Sequence, residues 1–308
     1  MSPTQPVVLG TRGSKLALTQ AGACAKRLRA AGFSVEVRII KTTSEHHPDL
    51  PLSIIDQRDV FTRQLDEALL VGEIDLAVHS AKDVPTELPE GIVLAAITER
   101  HDPSDVLISN EGYDVDGLPQ GSVVATSSLR RRAQLLHRRP DLRVVEIRGN
   151  IDTRVHKMRA GEADALILAR AGLERLGLDT PHAVLPPGVM LPAVSQGALA
   201  VATLEEHYLY AEIREALNHE ASETSIRAER AMLKALEGGC RVPVGALASV
   251  QGPKVRVQGV VASPDGAHVY KGKAEGEEPE ETGGRLAWHL LKQGAAVVLD
   301  EIGEVRST

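Results

Sequence analysis

The chain has 308 residues, 43% of them hydrophobic, with a formal net charge of -7 at pH 7. That length and composition give room for two or three domains with true cores and exclude a disordered protein. The acidic balance argues against general nucleic-acid or anionic-membrane binding, and no apolar run approaches a membrane span.

Met1 to Pro6 has no basic region followed by an apolar one, so a cytoplasmic protein is expected. Two cysteines, Cys24 and Cys240, cannot build a disulfide framework. Cys24 falls with Ala17, Ala21 and Leu28 at helical spacing on one apolar face and reads as core.

Val7 to Thr11 reads as a buried strand, Ser14 as the cap of a helix from Lys15 to about Ala31, and Val35 to Lys41 as a second strand. This β-α-β opening puts Arg12 and Ser14 at a strand end and a helix start, where backbone N–H groups favour anions; an ordinary turn with an exposed arginine is the alternative. Thr42 to Asp59, with Pro48, Pro51 and the pair His46 and His47, reads as a surface loop. Neighbouring histidines diverge, so no metal is expected there. Phe61 to Val71 is a helix, and Ile74 to Val78 a strand ending in the polar run His79-Ser80-Ala81-Lys82-Asp83. Open α/β sheets bind ligands at that edge, which marks Lys82 and Asp83 as candidates against a plain surface ion pair.

After a hinge near Thr98 to Ser104 the grammar repeats. Val106 to Ser109 and Val123 to Ala125 are strands, Thr126-Ser127-Ser128 opens a helix to about Arg138, and Arg143 to Ile147 is the next strand. Arg148-Gly149-Asn150 then leads into a helix from Ile151 to Ala160, followed by the strand Ala165 to Ala169. Hydroxyls, free N–H groups and the arginines Arg130, Arg131, Arg148 and Arg154 gather at these strand-to-helix turns, a set suited to carboxylates or phosphates. Leu185 to Gln196 crosses back, Ala198 to Thr203 returns a strand to the first domain, and helices run from about Tyr208 to Leu217 and from Ser222 to Leu236. The second of these delivers Gly238-Gly239-Cys240, either an accessible working thiol or a helix cap followed by a buried cysteine. Val244 to Val250, Lys254 to Val261 and His268 to Ala274 read as antiparallel strands and Arg285 to Gln293 as a helix. The expected domains are 1–98 with 198–217, 99–197, and 218–308.

Thr11-Arg12-Gly13-Ser14, Val78-His79-Ser80-Ala81-Lys82-Asp83-Val84-Pro85, Thr126-Ser127-Ser128-Leu129-Arg130-Arg131, Arg148-Gly149-Asn150, Leu191-Pro192-Ala193-Val194-Ser195-Gln196-Gly197 and Glu237-Gly238-Gly239-Cys240 together resemble the porphobilinogen deaminase (hydroxymethylbilane synthase) family, in one order over nearly the whole chain. The resemblance implies an α/β fold of two domains like the halves of a type II periplasmic binding protein, plus a small α+β C-terminal domain. It implies a dipyrromethane cofactor, held by a thioether at Cys240, that primes the joining of four porphobilinogen molecules with loss of ammonia. It implies Asp83 as the catalytic carboxylate, with Arg12, Ser14, Ser80, Lys82, Thr126, Ser127, Ser128, Arg130, Arg131, Arg148, Gly149, Arg154 and Gln196 binding cofactor or substrate.

The chain departs from the family in lacking the glycine-rich, lysine-bearing run before Phe61 and the usual Arg-Gly-Asp run upstream. Arg58 is expected to replace the lysine and Phe61 to pack near the cofactor. A monomer without metal, nucleic acid or membrane is expected. A solute-binding protein, which would not need Cys240, and an enzyme using Lys82 as a Schiff base are the competing readings.

Overall fold

A computed structural model describes residues 6–41, 57–236 and 243–304, with backbone alone at 57–61 and 301–304. The expected surface loop up to Asp56, with its histidine pair, lies outside the described residues, as do Cys240 and the side chains of Arg58 and Phe61.

In chain order the elements are β1 (Val7–Thr11), α1 (Lys15–Ala30), β2 (Val35–Ile39), α2 (Gln57–Leu70), β3 (Leu76–Ser80), β4 (Ile92–Ile97), β5 (Asp105–Ser109), β6 (Val123–Ala125), α3 (Leu129–Arg138), β7 (Arg143–Val145), α4 (Ile151–Lys157), β8 (Ala165–Ala169), α5 (Arg170–Leu176) and β9 (Ala183–Leu185). There follow β10 (Leu199–Leu204), α6 (Tyr210–Leu217), α7 (Glu220–Ala235), β11 (Val244–Gln251), β12 (Lys254–Ala262), β13 (Val269–Gly276), α8 (Pro279–Leu290) and α9 (Ala296–Glu304). They form two compact units: Met1–His101 with Ala198–Glu223, and Asp102–Gly197 with Thr224–Thr308.

The first unit is built on a sheet of order β2-β1-β3-β10-β4. β1 runs parallel to β2 and β3, and β10 antiparallel to β3 and β4. Alternation divides the strands between two apolar layers. Val7, Leu9, Leu76 and Val78 meet Ala21, Cys24 and Leu28 of α1, while Ala77 and Ala202 meet Leu65, Ala68 and Leu69 of α2. Cys24 is thus a core thiol, 1% exposed. Gly10 leaves room for Ile74, since a Cβ there would lie 2.4 Å from Ile74 Cδ1 and force that side chain to shift.

The second unit carries a sheet of order β7-β6-β8-β5-β9 in which β6 runs parallel to β7 and β8, and β5 antiparallel to β8 and β9. The arrangement of the first unit is repeated: parallel strands interrupted by one antiparallel strand placed there by a crossing. The same unit holds the antiparallel meander β11-β12-β13. Leu286 and Leu290 of α8 and Met232 of α7 close its apolar layer over Val257 and Ala246. The tip of the β12–β13 hairpin meets α3, where His137 Nδ1 lies 3.0 Å from the Gly266 carbonyl oxygen. This is the fold class that the resemblance implies. Among the described residues no helix is long and apolar enough to cross a membrane.

β4, α5 and β9 are among the elements that the sequence reading does not expect, and several boundaries differ from the expected ones. β3 continues to Ser80, because Ser80 and His79 pair with Leu199 and Ala200 of β10. α2 starts at Gln57, within the expected loop. α8 starts at Pro279, which its missing N–H suits to a first turn, and the helical run breaks at Gly294, whose φ is 116°.

Candidate functional site

In the first unit, β1 ends at Thr11 and α1 begins at Lys15, so Arg12, Gly13 and Ser14 form the turn at the sheet's carboxyl edge. Ser14 caps α1, its Oγ accepting from Ala17 N at 3.3 Å. At the same edge β3 runs into a single turn of 3₁₀ helix, Ala81–Asp83. Ser80 Oγ accepts from Gln20 Nε2 at 2.8 Å, and Ala81 N donates to Ala198 O at 3.0 Å, so both ends of the turn's entry are anchored.

Lys82 and Asp83 are half-buried there. Burial pushes the Asp83 carboxyl above the usual aspartate range, and the charges of Lys82 and Arg12 draw it partly back. The same edge holds His79, whose imidazole is lowered to about 4 by burial and then by Arg12, and so carries no charge at neutral pH. The edge therefore offers one carboxyl able to exchange a proton within the electrostatic reach of two cations.

In the second unit, β6 ends at Ala125, and Ser128 caps α3 by accepting from Arg131 N at 3.4 Å. Thr126 Oγ1 accepts from Ser128 N at 3.2 Å. Ser127 Oγ donates to Ile147 O at 2.6 Å and accepts from Ile147 N at 3.2 Å, pinning the end of β6 to the segment after β7. Arg148 is exposed, with its Nη2 4.0 Å from Glu146 Oε2. Gly149 takes φ 113°, and a Cβ on it would lie 2.8 Å from Thr153 Cγ2. Arg154 Nε donates to Gly149 O at 2.7 Å. Burial and the charge of Arg131 both lower the Arg154 guanidinium, so the surroundings of Arg154 are short of negative charge.

Arg130 and Arg131 point elsewhere than a solvated helix face would. They are 5% and 7% exposed and share Asp105, which is wholly buried. Arg130 Nη1 lies 2.8 Å from Asp105 Oδ2 and donates to Leu191 O at 2.6 Å. Arg131 Nη2 lies 2.7 Å from Asp105 Oδ1, and its Nη1 donates to Ile167 O at 3.1 Å. Gln196 Nε2 completes the set, donating to Asp105 Oδ1 at 2.8 Å and to Pro103 O at 2.7 Å. Burial opposes the Asp105 charge, but the two guanidinium groups outweigh it and hold the carboxyl well below its ordinary range. Much of the hydrogen-bonding capacity of Arg130, Arg131 and Gln196 is thus spent inside the protein.

Two acids that sequence reading missed organise this unit. Asp105 is one. Glu229 of α7 is the other: it is wholly buried and accepts from Ser195 N and from Ala248 N, each at 2.7 Å. The signal available for Asp105 was an acid opening a strand otherwise fully buried, Asp105-Val106-Leu107-Ile108.

Ser195 has φ 64°, the one positive value at a non-glycine among the described residues, and its Oγ is buried without a hydrogen-bond partner. Ser195→Gly removes both burdens at some cost in chain entropy. It should raise stability by about 1 kcal/mol in a urea titration; a fall would mean that the hydroxyl is satisfied by a bound water.

Residues 7–212 match the family described as porphobilinogen deaminase, dipyromethane cofactor binding domain, and residues 224–292 match porphobilinogen deaminase, C-terminal domain. The chain is 68% identical over 300 residues to the porphobilinogen deaminase of Rubrobacter xylanophilus, covering 97% of this chain and 98% of the relative. It is 45% identical to that of Syntrophomonas wolfei, covering 95% and 97% of the two chains, and 45% identical to that of Geobacillus kaustophilus, covering 96% and 97%.

Proposed function

The chain belongs to the porphobilinogen deaminase family, and on that premise we propose how its residues divide the work. The protein joins four porphobilinogen molecules head to tail, with release of ammonia, to give the linear hydroxymethylbilane. The observation that carries this reading is the carboxyl edge of β3, where the half-buried carboxyl of Asp83 is raised by burial and feels the charges of Lys82 and Arg12.

As ammonia leaves the aminomethyl group, positive charge develops on the pyrrole. A carboxylate held in that position stabilises the charge and exchanges protons with the departing amine and the pyrrole ring, the two kinds of help a single acid can give. Arg12 and Lys82 take the acetate and propionate that each pyrrole carries, and Ser14 and Ser80 add hydroxyl contacts.

The donor set suits a covalently held dipyrromethane, which when bound supplies the fixed primer for chain growth. Arg154, lowered by burial and by Arg131, favours an incoming carboxylate, and Arg148 offers an exposed guanidinium. Thr126, Ser127, Ser128 and Gly149 shape the same turns. Arg130, Arg131 and Gln196 serve with the donors left over from Asp105. Cys240 is the attachment point, because a thioether resists hydrolysis and the primer is kept. Arg58 and Phe61 complete the substrate contacts from the start of α2. We treat 1–98 with 198–217, 99–197 and 218–308 as three domains, and the protein as a cytoplasmic monomer that binds neither nucleic acid nor membrane.

The test is the intact mass of the protein made with ample porphobilinogen, beside Cys240→Ser. An excess equal to two linked pyrroles in the wild type, absent in the variant, is expected. A bare wild-type mass would reject the assignment of Cys240 and favour a reversible solute-binding protein.

A further inference from the structure

His79 stands apart from its neighbours on β3. Its side chain is 6% exposed, yet its ring takes no hydrogen bond from the described residues, whereas Ser80 beside it is engaged by Gln20. The parallel register Leu9↔Leu76 and Gly10↔Ala77, continued by two residues, sets Arg12 alongside His79 on the adjacent strand. Alternation places His79 on the face of Ala77, the face that α2 covers with Leu65, Ala68 and Leu69. The Arg12 charge and burial together keep the imidazole neutral, with one N–H to donate and one lone pair.

No described residue engages the ring, and its nitrogens are not sealed from solvent, so at the edge it shares with Arg12 it is suited to a partner that arrives with the ligand. A third cation there would repel Arg12; an uncharged donor adds a hydrogen bond without that cost.

We propose that His79 is a further substrate-binding residue, whose ring N–H donates to a carboxylate of the pyrrole that Arg12 also holds. The inference rests on the reading of the β3 edge as the pyrrole site. His79 is not the proton-exchanging group of the reaction, which remains Asp83; its part is recognition of the acidic side chains.

The experiment uses the holoenzyme with ring-¹⁵N-labelled histidine, titrated with an unreactive pyrrole that bears acetate and propionate but no aminomethyl group. The His79 N–H signal is expected to move downfield as the pyrrole binds, with the assignment fixed by its loss in His79→Gln. In steady state, His79→Ala is expected to raise KM for porphobilinogen about 10- to 100-fold with kcat within about threefold, and His79→Asn or His79→Gln to recover most of the loss. Unchanged KM in His79→Ala, or a His79 signal that stays put while the pyrrole binds, overturns the proposal. If His79→Ala does not fold, the titration of the wild type decides alone. The underlying site reading fails separately: it falls if Asp83→Asn keeps full turnover, whatever His79 does.

Discussion

Asp83→Asn is expected to lower turnover by about 10²- to 10⁴-fold while leaving the fold intact. Asparagine matches aspartate in shape, so the 3₁₀ turn Ala81–Asp83 and its anchors to Gln20 and Ala198 persist. What is lost is the ability to ionise. The expected stability change also has a sign. Burial holds the folded-state carboxyl above the ordinary aspartate range, so protonation favours the folded state, and wild-type stability falls as pH rises from that ordinary range through the raised value. The variant lacks that fall and should be no less stable than wild type at neutral pH. If Asp83 were only an ion-pair partner of Lys82, the pattern would invert: stability would drop and turnover would survive. Measuring kcat beside a urea midpoint separates the two, and turnover within tenfold of wild type would sink the catalytic assignment.

The parts of this protein legible in the sequence are those whose cause is local. Apolar runs ended by a capping hydroxyl announce β1 followed by Ser14 and α1, and β6 followed by Ser128 and α3, and the caps are made as expected. What escaped depends on partners far along the chain. The extension of β3 through His79 and Ser80 follows from pairing with Ala200 and Leu199, about 120 residues away by number, and no local pattern announces it.

The arginines show the same limit more sharply. Arg148, in a tight turn, is exposed. Arg130 and Arg131 have equally suggestive neighbours in sequence, but Asp105, 26 residues upstream of Arg131, turns both inward. Spacing shows where a charge can be presented; only burial shows where it is spent. His79 escaped for a related reason, since a histidine in a polar run reads as solvated until its face of the sheet is known.

The second large effect belongs to Asp105. Asp105→Ala would leave Arg130 and Arg131 as buried charges without their shared acid, and would take from Gln196 Nε2 one of its acceptors. Breaking a buried ion pair by removing one partner costs about 3–5 kcal/mol, because the remaining charge keeps its desolvation penalty and loses its compensation. A loss of that size is expected in the urea transition of the unit containing β5 and α3, with smaller changes in the other unit. The decisive comparison is a triple variant, Asp105→Leu with Arg130→Met and Arg131→Met, which removes acid and bases together. If the arginines are retained for stability, the triple variant should be as poor as the single one. If they are retained because leftover donors hold pyrrole carboxylates, it should regain most of the lost stability, since apolar replacements of a buried network are often neutral or better. It should also fail to keep the bound primer. We expect the second outcome, because an acid serving stability alone needs only one guanidinium, and Arg131 already lowers the neighbouring Arg154 in a way that only an anion can relieve.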